Sequence, residues 1–101
     1  MLAAFLLLLS GALLINAIPH LAAGLMGMPF PSPFAKPRGR GDSPPGTNFL
    51  WGFANLALGL GLLVNNYAKV RPDGAPFVLG LGALVMGLYV ANHFGKVRKD
   101  K

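Results

Sequence analysis

The placement of charge constrains this chain more than any other feature. No Lys, Arg, Asp or Glu precedes Lys36, none falls between Asp42 and Lys69, and none falls between Asp73 and Lys96. Each gap is rich in Leu, Ala, Gly and Val and long enough to cross the hydrocarbon of a bilayer, which takes about 20 helical residues. Such segments must be helical, because backbone in lipid has no water to bond and has to pair within itself. Three short strands could not close a barrel. A soluble core is also excluded: 101 residues that are 53% hydrophobic and 12% charged have too much surface for their volume to hide so much apolar area. The expected fold class is an all-α membrane protein, one membrane domain over residues 1–101 with three transmembrane helices in a small bundle.

The first helix is expected over residues 2–28. Pro19 falls inside it, yet LAAGLMGM continues the apolar pattern, so a kink at Pro19 is expected rather than an end. The segment lacks the basic n-region of a signal peptide, and LAA before Gly24 is a poor small-x-small cleavage site. It reads as a retained span. Residues 29–48, PFPSPFAKPRGRGDSPPGTN, hold six prolines and three glycines, a composition that predicts an extended, polyproline-like loop. The second helix is expected over residues 49–67, with Trp51 and Tyr67 as interfacial aromatics near its ends. In KVRPDGAP, Pro72 suits the first central position of a tight turn and Pro76 the first turn of a third helix, residues 75–94. Residues 95–101 read as a basic tail. No internal repeat supports an inverted-repeat transporter.

Orientation follows from Lys and Arg. Lys69 and Arg71 lie on the side of the N-terminus. Lys36, Arg38, Arg40, Lys96, Arg98, Lys99 and Lys101 lie on the other. Seven against two predicts an N-terminus outside and a C-terminus in the cytoplasm, in a membrane such as the bacterial inner membrane. The net charge of +6 is then explained by topology and anionic headgroups, which those seven cations would meet, and not by nucleic acid.

That topology puts five polar side chains in one half of the bilayer: Asn16 and His20 from the first helix, Asn55 from the second, Asn92 and His93 from the third. Asn16 and His20 share a helix face, which Gly24 and Gly27 roughly continue. Gly52, Asn55, Gly59 and Asn66 form a small, polar stripe on the second helix, and Ala83, Gly87 and Ala91 repeat at four on the third. Small residues at that spacing let backbones approach closely in lipid. The cluster is expected mainly to bond helix to helix. An ion path through His20, or haem ligation by His20 and His93, are the sharper alternatives.

Chemistry is poorly served. There is no Cys, so no thiolate or cysteine-held metal, and no carboxylate accompanies either His in the apolar segments. Neither Ser10 nor Ser43 has a paired base in sequence, and Asp42, Asp73 and Asp100 fall in predicted loops or tail. The chain is expected to be neither an enzyme nor a metal protein, and to need no cofactor. Arg40-Gly41-Asp42 is the tripeptide integrins read, here taken as a chance match. The leading expectation is an accessory or scaffolding subunit that packs against other transmembrane helices, its own or those of a larger complex. In span count, length and charge placement the chain also resembles the three-span holins of phages. That resemblance implies a homo-oligomeric pore, and conduction would place the Asn55 stripe at its lumen.

Overall fold

The computed structural model describes residues 1–71 and 73–101. It is built on three helices: α1 (Leu2–Leu25), α2 (Pro45–Asn66) and α3 (Ala75–Asp100). All three are long and apolar enough to cross a membrane. A 3₁₀ turn (Tyr67–Lys69) continues α2, and two short strands, β1 (Phe30–Pro31) and β2 (Asp42–Ser43), pair antiparallel within the first loop with Phe30 opposite Ser43. Pro72, assigned from sequence to a turn, lies outside the described residues.

The helix ends differ from expectation, each for a local reason. α1 stops at Leu25 and not at residue 28, because Gly27 takes φ +69° and closes the end. Met28 N–H bonds Ala23 O at 2.9 Å and Gly27 N–H bonds Gly24 O at 3.2 Å, the paired bonds of a Schellman cap. Gly27 therefore ends the helix and does not pack it, contrary to the sequence reading. α2 begins at Pro45, four residues early, since a proline in the first turn loses no intrahelical bond. α3 runs on to Asp100, so the expected tail is its last turns. No proline follows Gly95 to break it, and Arg98 and Lys99 in the final turn suit the negative end of the helix dipole.

Pro19 lies within α1 without ending it. This helix is the middle of the molecule. It packs on α2 along one face and on α3 along another, while α2 and α3 scarcely meet. Contacts run antiparallel on the first face: Gly24 lies against Phe49, Gly52 against Ala17 and Leu21, and Gly59 against Leu14. They run parallel on the second, where Gly82 lies against Leu8 and Phe94 reaches His20. The long axis of the molecule measures 44 Å, the thickness of a bilayer with its headgroups.

Candidate functional site

The buried polar residues of the helices, Ser10, His20, Asn48, Asn55 and Asn66, all belong to α1 and α2. On α2 the buried residues are Asn48, Gly52, Asn55, Gly59 and Asn66, a near-heptad stripe of small and amide side chains. Opposite them on α1 come Ser10, Leu14, Ala17, Leu21 and Gly24, again at alternating four and three. Such spacing keeps one seam in register along two helices that cross at a shallow angle. Three polar bonds span it. Ser10 Oγ donates to Gly59 O at 2.7 Å, Asn16 Nδ2 donates to Asn55 Oδ1 at 3.1 Å, and His20 Nδ1 meets Asn48 Oδ1 at 2.8 Å. Each lies where a missing side chain lets the backbones approach. A Cβ at Gly52 would come within 2.8 Å of Leu21, and one at Gly59 within 2.9 Å of Leu14.

Asn48 is the hub of this seam, and the sequence reading missed it by leaving it as the last residue of the loop. It is fully buried. Its Nδ2 faces Phe30 O at 2.9 Å, Ser43 O at 3.1 Å and Pro44 O at 3.3 Å. An amide nitrogen committed to three carbonyls leaves Oδ1 as the acceptor, so His20 must present Nδ1–H to it. A signal existed: Asn48 extends the 52, 55, 59 spacing backwards, once Pro45 is taken as a helix start.

Around this hub the proline-rich segment folds on itself instead of running extended. Ser32 and Ser43 share a hydroxyl bond of 2.6 Å, Phe34 N–H bonds Ser32 Oγ at 3.1 Å, and Gly39 N–H bonds Ser32 O at 2.9 Å. Pro31, Ser32, Ala35 and Ser43 are buried. The segment is tied to the end of α3. His93 Nε2–H donates to Gly39 O at 2.7 Å, Arg40 pairs with Asp100, and Lys101 pairs with Asp42 at 2.7 Å. Both charged ends of the Arg40-Gly41-Asp42 tripeptide are thus engaged within the chain.

The five polar residues grouped from sequence therefore separate. Asn16 joins Asn55, and His20 joins Asn48. His93 serves the loop, stacking on Tyr89 with ring centroids 6.0 Å apart. Asn92 is exposed and joins neither group, because it falls on the outer face of α3. Phe94 packs against both imidazoles, 6.0 Å from His20 and 5.1 Å from His93.

The packing residues separate as well. Gly24, Gly52 and Gly59 line the α1–α2 seam. On α3 the close approach is made by Gly82, with Gly11 opposite on α1, and neither was singled out in the sequence. A Cβ on Gly11 would land on Leu79 O, and one on Gly82 would land on Leu8 O. Each glycine thus turns its Cα–H toward a carbonyl of the other helix, a reciprocal weak hydrogen-bond geometry. Ala83 sits beside this crossing, with its N 2.9 Å from the place of a Gly11 Cβ. A Cβ added at Gly87 would make only an ordinary contact, 3.7 Å from Ile15, and Ala91 is exposed. The 83, 87, 91 stripe is rotated outward by the choice of Gly82 as the crossing point.

Among the seven cations assigned to headgroups or a partner, Arg40 and Lys101 are paired within the chain. Lys36, Arg38, Lys96, Arg98 and Lys99 are exposed, with no ion pair among the described residues. These helices, seam and charged end mark a helical membrane protein with three candidate spans. Comparison of the chain with protein-family models, curated proteins and solved structures gave no match.

Proposed function

We propose that this chain is a non-enzymatic accessory or scaffolding subunit of a membrane such as the bacterial inner membrane, and that it seats a partner helix on the outer side of α3. The observation that carries this reading is a shallow groove of about 430 Å³ lined by Ile15, Gly80, Ala83, Leu84, Gly87 and Leu88. Its floor is small side chains, the composition that lets helix backbones approach in lipid. α3 is also the least covered candidate span, with 11% of its most apolar stretch buried against 22% for α1 and for α2 with its 3₁₀ turn. In this reading α1 bends at Pro19, the N-terminus lies outside and the end of α3 lies in the cytoplasm. Support for that orientation is the seven-to-two distribution of Lys and Arg.

A homo-oligomeric pore would need the Asn55 stripe at its lumen, and that stripe is buried against α1. The accessory reading is therefore preferred.

Gly80→Leu tests it, since a Cβ at Gly80 meets nothing within 4 Å and the longer side chain would fill the groove. Native mass spectrometry of the protein taken gently from its own membranes should show a second membrane protein bound to the wild type and absent from the variant. A wild type found alone, or only as copies of itself, overturns the proposal. So does a Gly80→Leu variant that keeps its partner.

A further inference from the structure

Where β1 faces the last turns of α3 there is a cleft of about 410 Å³, whose lining includes Phe30, Phe94, Gly95, Val97, Arg98 and Lys101. Its floor is apolar. Phe30 and Phe94 pack ring to ring at 4.7 Å, and Val97 is only 2% exposed. Its rim is charged, and the charges are not equivalent. Lys101 is held by Asp42, which also lines the cleft, so these two largely cancel. Arg98 is exposed and enters no ion pair among the described residues. It leaves the rim with an uncompensated guanidinium.

The depth of the cleft matters as much as its lining. α3 carries no charge from Ala75 to Gly95, and at 1.5 Å per residue that stretch measures about 30 Å, the thickness of the hydrocarbon. The cleft opens just beyond it, at the level of the headgroups. At this end seven Lys and Arg face two Asp, Asp42 and Asp100.

We propose that this cleft is a binding site for one anionic phospholipid. The phosphate sits on Arg98, whose planar fork matches phosphate oxygens, and the glycerol and first acyl carbons lie over Phe94 and Phe30. A free phosphate would leave that aromatic floor uncovered, and a zwitterionic lipid would carry its own cation to Arg98. The site depends on the transmembrane placement of α3 and not on a partner in the Gly80 groove. Those two features lie on different stretches of the helix, so either can fail alone.

The test uses the delipidated full chain in mild detergent, titrated with dioleoylphosphatidylglycerol or dioleoylphosphatidylcholine and read by intact-complex mass. The phosphatidylglycerol should be retained about fivefold more strongly, the difference one cation makes near a membrane surface. Arg98→Gln should abolish that preference. Gly95→Leu should weaken retention of both lipids by narrowing the cleft, and it spares the fold, because a Cβ there meets nothing within 4 Å. Lys69→Gln, at the opposite end, should change nothing. Equal retention of the two lipids overturns the proposal, as does a preference that survives Arg98→Gln, a retention of both lipids left unchanged by Gly95→Leu, or a preference that falls equally in Lys69→Gln. Displacement of the phosphatidylglycerol by equimolar sodium phosphate would make this a small-anion site and also overturn it.

Discussion

Asn48 Oδ1 accepts from His20 Nδ1 at 2.8 Å, a bond across 28 residues that joins the second-to-last turn of α1 to the first turn of α2. The same side chain gathers the carbonyls of Phe30, Ser43 and Pro44. One buried amide thereby holds both strands of the loop, the start of α2 and the imidazole of α1. Asn48 and His20 are both buried within the protein, away from any water that could replace these bonds, so each is hard to exchange.

Replacing that amide should be costly. Asn48→Ala leaves His20 Nδ1–H without its acceptor and takes the side-chain donor from the carbonyls of Phe30, Ser43 and Pro44, a loss expected at about 2 to 3 kcal/mol. Equilibrium unfolding in mixed micelles by rising SDS fraction would measure it. A loss below about 0.5 kcal/mol would mean that water reaches the hub and takes over its bonds.

The reciprocal glycine crossing predicts a contrast between neighbours. Gly11→Ala and Gly82→Ala should each destabilise by about 1 to 3 kcal/mol, since the new methyl meets a backbone carbonyl that cannot rotate away. Gly80→Ala, two residues from Gly82 and facing open space, should be neutral or slightly stabilising through helix propensity. The same micellar titration ranks all three, and equal effects at Gly80 and Gly82 would place the crossing elsewhere.

Asn16 and Asn55 should couple modestly. Their bond is 3.1 Å long, and Asn55 Nδ2 also donates to Trp51 O at 2.8 Å, so Asn55 keeps a partner when Asn16 is lost. A double-mutant cycle with Ala at both positions should return about 0.6 kcal/mol, the typical interhelical value in membranes. A coupling near zero would indicate that lipid-side relaxation separates the pair.

The chain has no cysteine, which makes its orientation directly readable. Single substitutions Lys36→Cys and Lys99→Cys should react with an impermeant maleimide only from the cytoplasmic face, and Lys69→Cys only from outside. All three lie at exposed positions. Labelling of Lys69→Cys from the same face as Lys99→Cys would require a different number of spans.

Much of the fold could be read because lipid imposes a coarse rule. A charge in the hydrocarbon is expensive, so the gaps before Lys36, after Asp42 and after Asp73 delimit three helices without any knowledge of packing. The rule says little about helix ends, where capping decides. Gly27 looked like one more small residue on a packing face until its positive φ and the Met28–Ala23 bond showed it closing α1. Pro45 looked like part of the loop until it stood in the first turn of α2, and moving that boundary brought Asn48 onto the buried stripe.

Which glycines pack was a matter of rotation, and spacing alone left it open. Ala83, Gly87 and Ala91 satisfy the small-residue rhythm, but the helices cross at Gly11 and Gly82, one position round on α3. Likewise no local pattern pairs Arg40 with Asp100 or Asp42 with Lys101, some 60 residues apart. The sequence by itself determined the medium, the three candidate spans and the unequal charge of the two ends, because those follow from what each residue costs in lipid. The tertiary structure alone decided that α1 stands in the middle, that Asn48 holds the loop and that the cleft beside Arg98 exists. Each of these depends on which faces of separate helices turn toward one another, and that is fixed by contacts between residues far apart in the chain.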